Sequence, residues 1–389
     1  MNHGKYIFAQ LTDFLPRRIF DRIVKQYDGN KYVRSFTCWN QMLCMVFGQL
    51  TARDSMRDLL LSLEAHKSKY YRLGFGSSIS RRNLGKANEN RNYKIFEAFA
   101  YVLIARARES CYKSDFELNI KGNVYAFDSS TIDLCLNVFW WAEFRKTKAG
   151  IKLHTLYDVK TSIPAFVHIT NAKAHDVSAL DLLLYEVGSF YILDRAYVDY
   201  ERLYLLHKQQ AFFVTRAKSN MKFARMYSNS VDKTKGIKYD QIGKLTSYYP
   251  RKKYPEKLRR IKYYDADTNR TFVFLTNNMD LKAEEIAYLY KKRWEVELFF
   301  KWMKQYLKIK SFWGTSINAV KIQIYCAIIA YCLVAIVGNT LKVERSIYEI
   351  LQILSISLLD KNPVIEVLRK YDYKDAKEQN NKQLKINGF

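Results

Sequence analysis

Apolar residues recur at helical spacing through the first 115 positions. Ile19, Phe20, Ile23, Val24 and Tyr27 form one stripe, Trp39, Leu43, Val46, Phe47 and Leu50 a second, and Leu59, Leu60 and Leu63 a third, with Ser55 placed to cap the third helix. The spacing predicts an all-α domain over 1–115. The turn-rich segment GFGSSIS breaks the pattern, and Ser80 is positioned to cap a short helix, RRNLGKANENR, carrying Arg81, Arg82, Lys86 and Arg91. A basic helix after a turn suits a DNA groove or a row of phosphates, and equally a solvated face.

From about 123 the period shortens. NVYAFDSSTI, IKLHTLYDVK and PAFVHITNAK read as strands, the last two joined by a turn at Thr161–Pro164. A helix in SALDLLLYEV, a strand in SFYILDRAYV, a helix in DYERLYLLHKQQ and a strand in AFFVTRAK follow. This alternation predicts an α/β core over 116–218. Residues 219–280 read as a β-rich insertion, with strand patterns in IKYYDAD and RTFVFLTNN and the basic run RKKYPEKLRRIK. One long helix, from about Leu281 to Lys308, is expected within 281–310, and further helices over 311–370. Residues 322–337 are almost continuously apolar but contain Gln323 and fall short of the roughly 20 residues a membrane span needs. A buried core helix is therefore expected there, and no membrane partner. The polar tail 371–389 is expected to fray.

Charge sharpens the division. The net charge is +26, of which 1–115 carry +10, 116–218 only +1, 219–310 carry +12 and 311–389 carry +3. Two basic blocks flank a nearly neutral middle, the distribution of a folded protein that meets polyanions on particular surfaces. The six cysteines form no CxxC pair and no Cys/His cluster at zinc-ligand spacing, so neither a zinc module nor a disulfide framework is indicated. The opening MNHGKYIFAQLTDFLP lacks a signal-peptide pattern, and a cytoplasmic protein is expected.

Two acids break the apolar strand patterns: Asp128 in AFDSST and Asp194 in YILDRAY. A carboxylate at the end of a buried strand is unfavourable unless it caps a turn or binds something, and two on neighbouring strands suit a hard divalent cation. In the predicted helix LYKKRWEVELFFKWMKQYLK, Tyr290, Arg293, Glu297 and Lys304 fall within an arc of roughly 60° at about 100° per residue. Lys301 and Lys308 project nearby, so one acid lies in a strip of cations. A solvated ion-pair face is the plainer alternative, since Arg293 and Glu297 are also an ordinary i,i+4 pair. Lys152, His154, His175 and Asp176, between the two aspartates, read first as structural polar residues. Trp294 and Trp302 read as core aromatics before base-stacking ones.

Asp128, the Asp194-Arg195-Ala196-Tyr197 run and the Tyr290, Arg293, Glu297, Lys304 spacing together resemble the signature of the insertion sequence 4 family of DDE transposases. The resemblance covers about 120–310. It implies a ribonuclease H-like catalytic core with an inserted β-rich region, an N-terminal helical DNA-binding domain, and cut-and-paste transposition of a bacterial insertion sequence. It further implies that Asp128, Asp194 and Glu297 hold two Mg²⁺ ions, for which Mn²⁺ could substitute. Tyr290, Arg293 and Lys304 would contact DNA phosphates, with Lys301, Arg81 and Arg82 as further DNA contacts. The implied partners are the terminal inverted repeats and target DNA, met by a homodimer at the bacterial nucleoid, with a hairpin intermediate. A catalytically inactive, domesticated DNA-binding protein is the alternative.

Overall fold

Thr37, Ser55 and Ser80 each accept a hydrogen bond from the backbone N–H three residues on, and each starts a helix there. The computed structural model describes residues 4–76, 79–111, 118–307, 309 and 311–370. The tail 371–389, Lys308 and part of the GFGSSIS linker lie outside the described residues. In chain order the first helices are α1 (Ile7–Thr12), α2 (Arg17–Gln26), α3 (Cys38–Leu50), α4 (Met56–Glu64), α5 (Tyr70–Leu73), α6 (Arg81–Asn90) and α7 (Lys94–Ser110). Strands β1 (Val124–Leu134), β2 (Glu143–Arg145), β3 (Lys148–Asp158), β4 (Ile163–Asn171) and β5 (Phe190–Leu193) follow, then α8 (Tyr200–Lys208) and β6 (Phe212–Arg216). Next come β7 (Phe223–Ser228), β8 (Ile237–Leu245), α9 (Tyr248–Lys253), β9 (Leu258–Asp265) and β10 (Arg270–Thr276). Helices α10 (Ala283–Lys291), α11 (Trp294–Tyr306), α12 (Ile317–Thr340), α13 (Ile347–Ser357) and α14 (Val364–Leu368) complete the chain.

Two compact units result: residues 1–110 with 306–389, and residues 111–305. The helical segments that the sequence separates as 1–115 and 311–370 thus share one core, because α12 packs on α3 and α7. Its most apolar window is 94% buried, which makes α12 the core helix that the pattern suggests. Gln323, the polar interruption, is a tie within the fold. Its Oε1 accepts from the Trp313 backbone N–H at 2.8 Å and its Nε2 donates to the Ser311 carbonyl at 2.9 Å. Close packing of α3 depends on Gly48, where a Cβ would stand 2.3 Å from the Trp313 ring.

The second unit is built on one ten-stranded sheet. Five strands lie in the order β4-β3-β1-β5-β6, with β3 antiparallel to β1 and β4, and β1, β5 and β6 mutually parallel. This is the ribonuclease H-like core expected. The β3–β4 hairpin turns without glycine because Ser162 takes the left-handed conformation, φ 59°. The inserted strands do not form a separate body: β10 pairs antiparallel with β6 and carries β9, β8 and β7 outward on the same sheet.

Two expected helices differ. SALDLLLYEV forms only a 3₁₀ turn, Asp176–Leu182, after which the backbone is extended at Leu183. Leu184 and Val187 face solvent, and Glu186 instead accepts from Tyr125 Oη and Asn123 Nδ2, each at 2.8 Å. The single helix expected from Leu281 to Lys308 is broken between α10 and α11. Around Lys292 and Arg293 the backbone bonds shorten to i→i+3, from Arg293 N–H to Tyr290 C=O and from Val296 N–H to Arg293 C=O.

Candidate active site

Strand alternation sorts the side chains of the sheet into two faces. Tyr125 and Phe127 on β1, Tyr191 and Leu193 on β5 and Phe213 on β6 point into a core closed by Leu203 and Leu206 of α8. Asp128, one step along from Phe127, therefore emerges on the other face. Asp194 follows Leu193 at the end of β5 and opens a 3₁₀ turn, Arg195–Tyr197. β1 and β5 are adjacent and parallel, with Phe127 beside Leu193, so the next residues on both strands are neighbours. The helices α10 and α11 cover this second face: Tyr290 packs on Phe274 of β10, ring centroids 4.9 Å apart, and Phe299 on Tyr157 of β3 at 5.3 Å.

That packing delivers the helix residues to the acids. Tyr290 Oη donates to Asp194 Oδ1 at 3.2 Å. Arg293 sits at the break, and its two terminal nitrogens bridge Asp128 Oδ2 at 3.1 Å and Glu297 Oε1 at 2.5 Å. Asp128, Asp194, Glu297, Tyr290 and Arg293 are thus brought into one cluster. Lys304 lies farther along α11 and donates to the Thr131 carbonyl of β1 at 2.8 Å. Lys301 is exposed on the same helix, and Trp294 is exposed at its start. Arg81 and Arg82 are exposed on α6 of the helical unit, whereas Arg91 is structural there, donating to Gln41 Oε1 at 3.0 Å.

One participant had no motif to announce it. Arg216, last residue of β6, donates to Asp194 Oδ1 at 2.7 Å. Its only sequence signal is a cation ending an apolar strand parallel to the one that delivers Asp194.

The environments separate the two aspartates. Burial pushes the Asp128 carboxyl from 3.8 up to about 6, and the nearby charges of Glu297 and Asp194 add to it, against the Ser129 N–H and Arg293 that favour the anion. Burial acts on Asp194 in the same direction, but the hydrogen bond from Arg216, the Arg195 N–H and the charges of Arg216 and Arg293 outweigh it, leaving that carboxyl below its ordinary value. Burial also raises the Tyr290 hydroxyl to about 12, so it is a donor at neutral pH.

Three carboxylates within electrostatic reach of one another are a hard-oxygen donor set, and they fit a divalent cation by chemistry. Here arginines supply the positive charge: Arg293 joins Asp128 to Glu297, and Arg216 holds Asp194. Among the described residues, no three His, Cys, Asp or Glu side chains lie close enough together to share an ion in this arrangement.

A ribonuclease H-like sheet that presents two aspartates on adjacent parallel strands, with a glutamate from the covering helix, is the arrangement that the resemblance to DDE transposases implies. Comparison with known proteins places it more closely. Residues 120–333 match the Transposase DDE domain family, and residues 3–76 match a domain of unknown function (DUF4372). "Putative transposase y4zB" of Sinorhizobium fredii is 31% identical over 296 residues, covering 75% of this chain and 81% of that protein. "Probable transposase for insertion sequence element IS5377" of Geobacillus stearothermophilus is 30% identical over 66% of each chain. "Putative transposase for insertion sequence element IS4SA" of Synechocystis is 24% identical over 90% of this chain and 98% of its own length. The chain belongs to the DDE transposase family.

Proposed function

We propose that this chain is the transposase of a bacterial insertion sequence of the insertion sequence 4 group, cutting DNA at terminal inverted repeats and joining the freed ends to target DNA. The observation that carries the reading is the convergence of Asp128, Asp194 and Glu297 on one sheet face beneath Tyr290 and Arg293. Asp128, Asp194 and Glu297 would hold two Mg²⁺ ions, or Mn²⁺ in their place; such ions activate an attacking oxygen and stabilise a leaving one at phosphorus. The protein's own residues orient the strand. Tyr290 donates a neutral hydroxyl, and Arg293 offers a planar pair of donors that match a phosphate as well as the carboxylates it now bridges. Lys304 extends the grip along α11, with Lys301 beside it. Holding the scissile phosphate and the attacking hydroxyl in register makes the displacement effectively intramolecular.

The exposed Arg81 and Arg82 of α6 support a DNA-holding role for the helical unit. Two element ends call for two copies of the chain, a homodimer on DNA at the nucleoid, and a hairpin end is the intermediate we assign before target joining. The complete acid set favours this reading over a silent DNA-binding relative, which would have no use for three converging carboxylates. Purified protein incubated with Mg²⁺ and a duplex ending in the element's repeat should nick at the repeat boundary, and Glu297→Gln should abolish nicking while DNA binding persists. Nicking by the Glu297→Gln protein at the wild-type rate would refute the assignment.

A further inference from the structure

Behind the catalytic face lies a second set of polar residues that the proposed chemistry does not use. Ser129 follows Asp128 on β1 and so points to the opposite face, beside its cross-strand partner His154 on β3. Its hydroxyl donates to Asp176 Oδ1 at 2.7 Å. Asp176 opens the 3₁₀ turn that replaces the expected helix, and its Oδ1 stands 3.1 Å from Lys152 Nζ. Lys152 is itself fixed by donating to the Ala174 carbonyl at 2.8 Å. The Ser129 backbone N–H then donates forward, to Asp128 Oδ1 at 2.8 Å. A second donor reaches the same oxygen: the Tyr197 hydroxyl, 3.4 Å away, on a buried ring packed edge-on against Phe127 at 5.2 Å. Oδ1 is held from behind by two donors, and Oδ2 is the oxygen that accepts from Arg293.

We propose that Asp176, with Lys152 and Tyr197, is a positioning set for Asp128. Asp176 pins Ser129 on the rear face, Ser129 and Tyr197 fix the carboxylate rotation, and Oδ2 is thereby presented to the reaction centre. Asp176 lies on the rear face, where its partners are the Ser129 hydroxyl and the Lys152 ammonium. Outer partners that orient a metal-binding carboxylate characteristically contribute 10- to 100-fold to metal affinity.

This inference rests on the assignment of Asp128 as a cation ligand, and its test separates the two. Manganese binding to the full chain is measured by calorimetry, together with affinity for a duplex oligonucleotide and the thermal unfolding midpoint. Asp176→Ala should weaken Mn²⁺ binding by roughly 10- to 100-fold with duplex affinity unchanged. Asp176→Asn, which keeps an oxygen for Ser129, should recover most of the loss. Ser129→Ala removes the same link without opening space, and should reproduce the loss if Asp176→Ala fails to fold. Wild-type Mn²⁺ affinity in both Asp176→Ala and Ser129→Ala, or an equal fall in duplex affinity, would overturn the positioning role. If instead the wild type and Asp128→Ala take up Mn²⁺ equally, the ligand assignment itself fails and the positioning role with it.

Discussion

Asp128 stores an electrostatic penalty that its removal should release. Its side chain is 19% exposed, and its carboxyl is raised from 3.8 to about 6, chiefly by burial. At about 1.4 kcal/mol per pH unit, that gap makes the ionised form about 3 kcal/mol less favourable in the folded chain than in the unfolded one. The sign follows from proton counting. Between about pH 4 and 6 the folded chain holds the proton that the unfolded chain has lost, so this group's contribution to stability falls as pH rises and is fully unfavourable above the folded value. Asp128→Asn keeps the shape without the charge. In chelator at pH 7.5 the variant should be more stable by as much as about 3 kcal/mol, or about 6–12 °C for a unit of this size, while losing metal-dependent nicking. At pH 4 the difference should nearly vanish. Thermal unfolding followed by circular dichroism across this range measures it. An Asp128→Asn protein less stable than wild type at pH 7.5, or one whose advantage is the same at pH 4, would refute the reasoning.

Arg216→Ala should act oppositely on Asp194, whose lowered carboxyl stabilises the fold at neutral pH and loses that contribution as pH falls through its folded value. Wild type should therefore exceed the variant at pH 7, and acid titration of the two should converge below the ordinary carboxylate range. In the inserted strands, Arg259 and Asp240 form a nearly fully buried pair at 2.8 Å, so Asp240→Ala leaves a stranded guanidinium and should destabilise by about 3–5 kcal/mol in urea titration. Gly48→Ala should lower the stability of the helical unit by roughly 1–3 kcal/mol, because the new methyl meets the Trp313 ring; an unchanged urea midpoint would show that the ring moves aside freely.

What the sequence disclosed and what it concealed follow from the range of the interactions. Asp128 and Asp194 stood out because each interrupts an apolar strand, and the Tyr290-to-Lys304 spacing because helical period is local. Ser55 and Ser80 were legible as caps for the same reason, since each bond closes within three residues. The break at Lys292–Arg293 left no trace, having neither glycine nor proline, and yet it is where Arg293 bridges Asp128 and Glu297. Arg216 was hidden because its significance lies in a parallel pairing with β5 across an intervening helix. The insertion read correctly as strands, but its attachment to β6 is a contact between Val214 and Thr276 that no local pattern encodes. The leucine spacing after Asp176 suggests a helix, but the fold buries only Leu180 and Leu183 from a 3₁₀ turn and leaves Leu182 and Leu184 in solvent.

The packing of α12 also fixes an order of events during synthesis. Ile317 is made 207 residues after Ser110, about 10–40 s later at 5–20 residues per second. Throughout that interval α3 and α7 are complete but lack their central partner, while the whole sheet unit emerges between them. That helix, α12, includes Asn318, whose amide donates to the Asn88 carbonyl near the end of α6, the helix that displays Arg81 and Arg82. A message cut short before α12 would thus yield a chain with Asp128, Asp194 and Glu297 but a helical unit without its central helix. Only a chain translated through α12 holds those three acids together with that helix.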